Sequence, residues 1–212
     1  MRLRHRKWTA QVLEENQDIG KNLETLDLEA VKDYTSLEIG SGLGGFLLEC
    51  SKRFASERLL GVEVSKNAFA SALKKASAVK AEQTNFLFLN APIERVFPLF
   101  KDKQFNNIYI NFPDPWSKKR QQHRRLSYPM RLKEYHRILK DEGTLYFRTD
   151  NAPLFEDSIQ YFKEVSDLFE IEVITPFYSE NVDYLPPSEY EHKFREQGIP
   201  INLIIARKKQ VL

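Results

Sequence analysis

The stretch Leu37-Glu38-Ile39-Gly40-Ser41-Gly42-Leu43-Gly44-Gly45-Phe46 constrains this chain more than any other. A short apolar run of strand type enters it, and Phe46, Leu47, Cys50 and Phe54 leave it at helical spacing. Four of the chain's eight glycines fall within Gly40–Gly45. Such a turn is needed where a strand bends sharply into a helix packed close against it. A turn that serves packing alone is the simpler reading, but this density of glycine favours a loop that admits a ligand. Strand, glycine turn and helix in that order open doubly wound α/β folds, whose ligands bind beyond the carboxyl ends of the strands.

The alternation continues downstream. After an N-terminal arm of about residues 1–33, strands are expected at Thr35–Ile39, Leu59–Val64, Asn85–Leu89, Phe105–Phe112, Thr144–Thr149, Ile171–Ile174 and Ile201–Ala206. Helical patterns lie between them at Lys66–Lys80, Ile93–Phe100 (interrupted by Pro98), Leu126–Leu139 and Leu154–Phe169. This predicts a mostly parallel seven-stranded sheet with helices on both faces. Little helix separates the last two strands, so an antiparallel hairpin, with an antiparallel edge strand, is expected there. No linker or repeat divides the 212 residues, which suit a single domain, 1–212. The lone Cys50 excludes an intramolecular disulfide and a multi-thiolate zinc site, fits a reducing cytoplasm, and reads as core. No metal site is expected. No apolar run approaches the ~20 residues of a membrane helix.

Gly40, Gly42 and Gly45 also satisfy G-x-G-x-x-G, so a nicotinamide or flavin enzyme has to be weighed. Glu38 argues against it. A carboxylate at the strand end opposes a pyrophosphate, which seeks bare N–H groups and positive potential. It complements S-adenosylmethionine, whose methionine end carries an ammonium and a sulfonium. Glu63, ending the second strand, is placed to accept ribose hydroxyls from either cofactor. Asn90, after the third strand, reads equally as an adenine contact or a turn residue.

A net charge of +2 conceals two basic segments. Residues 1–7 carry +4 and residues 117–137 carry +7, leaving −9 for the rest. Such runs are commonly solvated faces. Here the second follows at once on Asn111-Phe112-Pro113-Asp114-Pro115-Trp116, which ends the fourth strand. A proline-stiffened acid beside an aromatic suits a base-binding shelf, and the adjoining cations suit phosphates.

At this point the chain resembles the bacterial tRNA (guanine-N7-)-methyltransferases, over about Met1–Phe194. The resemblance rests on Arg2–Trp8, Leu37–Phe46, Gly61-Val62-Glu63-Val64, Asn111–Arg125, Phe147–Asn151 and Ser188–Phe194, most specifically on N-F-P-D-P-W-x-K-K-R. It implies a Rossmann-like class I methyltransferase fold. It also implies transfer of a methyl group from S-adenosylmethionine to N7 of guanine 46 in the tRNA variable loop. The cofactor-binding set so implied is Glu38, Gly40, Gly42, Gly44, Glu63, Asn90 and Asp114, with Asp114 catalytic. Lys118, Asp150, Ser188, Glu189, Tyr190 and Glu191 match substrate-binding positions, and Lys119, Arg120, Arg124 and Arg125 would hold the tRNA backbone. Asn90 stands where many members have Asp, Ser188 where Thr is usual, and Leu43 and Gly45 where Lys and Gln are common. Asp150 and Asn151 also suit a helix N-cap, and Ser188–Glu191 a capping box. The expected enzyme is cytoplasmic, a monomer or homodimer. Its rivals are an exocyclic-amine nucleic-acid methyltransferase and a non-catalytic RNA-binding protein.

Overall fold

The computed structural model describes residues 8–178 and 184–210. The basic residues Arg2, Arg4, Arg6 and Lys7 lie outside them. The chain gathers into two compact units, residues 1–100 and 101–212.

The first unit runs α1 (Trp8–Glu15), β1 (Gly20–Asn22), α2 (Leu28–Val31), β2 (Ser36–Ile39), α3 (Gly45–Arg53), β3 (Leu59–Glu63), α4 (Lys66–Ala76), β4 (Phe86–Asn90) and α5 (Ile93–Val96). A 3₁₀ turn, Phe97–Leu99, follows where Pro98 interrupts the helix. Its four strands are parallel in the order β1-β4-β3-β2. Every position of β2 and β3 is buried. That is the pattern of parallel strands covered on both faces, and it explains why their sequences are apolar runs rather than alternations.

β1 is the departure from expectation, and it makes the strands among the described residues eight rather than seven. Gly-Lys-Asn has no apolar signature, yet Gly20, Lys21 and Asn22 pair with Phe88, Leu89 and Asn90. A Cβ on Gly20 would stand 2.5 Å from Leu73 Cδ1. Glycine therefore lets this short strand lie against α4.

The second unit runs β5 (Phe105–Asn111), a 3₁₀ helix (Lys119–Arg124), α6 (Pro129–Ile138), β6 (Leu139–Thr149), α7 (Ala152–Glu164), β7 (Phe169–Ile174), α8 (Glu189–Glu196) and β8 (Asn202–Lys208). Its strand order is β5-β6-β8-β7: β5 and β6 are parallel, and β8 is antiparallel to both neighbours. The inverted strand thus lies one place in from the edge, which β7 occupies. α6 starts at Pro129, a residue pre-set for the first helical position. β6 extends back to Leu139, through an irregular register with β5. Cys50 is buried in the core of the first unit, as expected. Among the described residues, no helix is long and apolar enough to cross a membrane.

Candidate active site

In the first unit the carboxyl ends of β2 and β3 and the start of α3 converge on the glycine loop. Glu38 on β2 is 2% exposed and Glu63 on β3 is 8% exposed. Glu63 Oε2 accepts the Gly42 N–H at 2.9 Å, and Oε1 accepts the Ser65 N–H at 2.7 Å. Asn90 donates its amide to the Glu63 carbonyl at 2.8 Å and to that of Val64 at 3.4 Å. Its donors therefore hold the turn after β3, and its Oδ1 has no donor among the described residues. α3 begins just after Gly44, an N-cap residue with no side chain to close the helix end over the loop.

The three candidate glycines do different work. The Gly40 N–H is held by the Val62 carbonyl at 2.8 Å. Gly44, at φ +79°, has Ala72 Cβ and Phe88 Cζ within 2.8 and 2.9 Å of where its own Cβ would be. Its smallness serves packing. Gly42, at φ +55°, would meet only the Gly40 carbonyl, at 3.9 Å. That is open space above the loop. Beside it the Ser41 Oγ is buried with no hydrogen-bond partner among the described residues, a residue the sequence reading did not single out. Open space at Gly42, an orphaned hydroxyl and two buried carboxylates fit a cofactor with a cationic end and no phosphate.

In the second unit the turn after β5 is strained. Phe112 and Trp116, both bulky, take φ +50° and +40°, costing on the order of 1–3 kcal/mol each. Between them Pro113, Asp114 and Pro115 hold Asp114 exposed. The Phe112 ring packs on Tyr190 and Phe194, with centroids 5.8 and 5.4 Å away. The Arg124 guanidinium lies over the Trp116 ring at 5.0 Å.

Asn151 caps α7 by accepting the Leu154 N–H at 2.9 Å. Among the described residues Asp150 has no side-chain partner. Ser188 caps α8 by accepting the Glu191 N–H at 3.2 Å, while Glu189 and Tyr190 are exposed.

Two of the expected site residues, Glu191 and Arg125, are buried. Glu191 is fully buried and paired with the equally buried Arg148 at 3.0 Å, so its carboxylate does not present a free charge to a base. Arg125 is 3% exposed. Its Nε donates to the Pro115 carbonyl at 2.8 Å, and its Nη1 meets Asp157 at 2.5 Å and the Tyr161 hydroxyl at 3.0 Å. Lys118, Lys119, Arg120 and Arg124 are exposed. Arg148 was missed; the signal was a lone arginine inside the apolar run Leu145–Thr149.

Residues 32–203 match the model of a family described as "putative methyltransferase". The chain is 31% identical to the tRNA (guanine-N(7)-)-methyltransferase of Bacillus subtilis over 95% of its own length and 96% of that protein's. It therefore belongs to the tRNA (guanine-N7-)-methyltransferase family. A second relative of the same name, from Pediococcus pentosaceus, is 35% identical over 78% of this chain and 77% of its own. The fold is also that of a solved antibiotic-related methyltransferase, at TM-score 0.62 and 18% identity, covering 87% of this chain and 95% of the other. The family match over most of the chain and the relatives so named make this chain a methyltransferase.

Proposed function

We propose that this enzyme transfers the methyl group of S-adenosylmethionine to N7 of guanine 46 in the variable loop of cytoplasmic tRNA. The observation that carries the cofactor assignment is the Glu38 carboxylate, buried near the end of β2 beside the glycine loop that Glu63 holds through Gly42. A pyrophosphate would be repelled there; a sulfonium and an ammonium are attracted. The relatives' names support the tRNA substrate, and so do the exposed Lys118, Lys119, Arg120 and Arg124.

When bound, S-adenosylmethionine supplies an electrophilic methyl group on its sulfonium. Guanine N7 has an exposed lone pair and no proton, so no side chain has to act as a base. The residues contribute placement, worth ~7–11 kcal/mol at best. Glu38, Glu63, Ser41 and Asn90 would hold the cofactor. Asp114 and Asp150 would favour a purine becoming cationic and accept hydrogen bonds from guanine N1–H and its amino group. Calorimetric titration tests the cofactor: S-adenosylmethionine binds and NAD does not, and the reverse would overturn the reading.

A further inference from the structure

We propose that Arg148 and Arg125 are positioning residues for methyl transfer, holding the two ends of the strained turn that carries Asp114. The proposal rests on the methyltransferase reading above and names internal contacts on which its rate depends.

A turn with two bulky residues in the left-handed region relaxes unless its ends are tied. At its start, Arg148 Nε donates to Asn111 Oδ1 at 2.8 Å, and the Arg148 carbonyl accepts the Phe112 N–H at 2.8 Å. At its end, Arg125 Nε donates to the Pro115 carbonyl at 2.8 Å. Each guanidinium reaches a separate anchor through Nη1. For Arg148 the anchors are the Pro186 carbonyl and Glu191 Oε2, both at 3.0 Å, just before and inside α8. For Arg125 they are Asp157 and Tyr161 on α7. The planar fork is what allows one side chain to serve turn and anchor together; a lysine ammonium keeps the charge but cannot span both. Arg148 is two residues from Asp150, and Glu191 is in the first turn of α8, so the same network also sets where those segments stand. Neither arginine is exposed enough to contact RNA.

The test compares full-length wild type with R148K, R125K, R125Q and N111A. It reads cofactor and tRNA affinity, the salt dependence of tRNA retention, and the single-turnover rate at saturating tRNA and S-adenosylmethionine. The expected result is a ~10²-fold slower transfer in R148K, R125K and N111A with both affinities unchanged. The N111A/R148K double variant falls no further than the worse single, since both cut one link. N111A leaves the Arg148–Glu191 pair intact and carries the test should R148K fail to fold. R125Q is expected to keep the wild-type salt slope. A slope lower by about one would make Arg125 a phosphate ligand and overturn its role. Wild-type rates in R148K, R125K and N111A would overturn the proposal while leaving the methyltransferase reading in place. A wild type that transfers no methyl to tRNA would overturn that reading instead.

Discussion

Glu63 and Gly42 are joined by a hydrogen bond of 2.9 Å from the loop N–H to a buried carboxylate that also accepts from Ser65. One acid thus fixes both the glycine loop and the entry to α4. Glu63→Gln replaces one accepting oxygen with an amide donor facing a backbone N–H. A hydrogen bond to a charged group contributes about 1.5–3 kcal/mol, so the Kd for S-adenosylmethionine should rise ~10- to 100-fold by calorimetry. Circular dichroism should show the fold retained. An unchanged Kd would remove Glu63 from the cofactor site.

Gly42 and Gly44 separate binding from packing. Gly44→Ala forces a methyl group to within 3 Å of Ala72 and Phe88 at φ +79°. It should destabilise the fold by roughly 1–3 kcal/mol in urea titration. Gly42→Ala points a methyl group into open space, at φ +55°. It should lose cofactor affinity more than stability. Equal behaviour of the two variants would contradict this division.

The exposed cations should act through phosphates. Lys119→Ala, Arg120→Ala and Arg124→Ala should each weaken tRNA retention and lower its salt slope by about one. Arg124→Ala also removes the cation stacked over Trp116. Filter binding across a salt series checks this, and undiminished slopes would place the tRNA elsewhere.

The Asp141 carboxyl is held below its usual 3.8, chiefly by the hydrogen bond from Lys103 at 2.9 Å. A folded pKa below the unfolded one means stability that is present above about pH 3.8 and is lost as pH falls through the folded value. Asp141→Asn should therefore lower Tm slightly at neutral pH, and the difference from wild type should vanish in strong acid. A difference that persists there would point to another cause.

The parallel strands within each unit were legible because buried parallel strands are apolar runs, the antiparallel β7 and β8 because Ile171–Ile174 and Ile201–Ala206 are rich in isoleucine, and Glu38 because an acid interrupting an apolar run stands out. β1 was not, since it pairs through backbone and depends on what Gly20 lacks. Arg125 looked like its neighbours in a run of cations; its burial is decided by Asp157 and Tyr161, more than thirty residues on. Likewise the Ser188–Glu191 pattern announced a cap, which Ser188 provides, but not that Glu191 would meet an arginine 43 residues earlier. Side-chain type and local period were readable; the partner across the fold was not.

The enzyme's reaction is decided by incubating it with labelled S-adenosylmethionine and unmodified tRNA, then identifying and mapping the methylated nucleoside. The expected product is 7-methylguanosine at one position in the variable loop, with none formed by Asp114→Ala although that variant still retains tRNA. Label on an exocyclic amine, or none on tRNA, would contradict it.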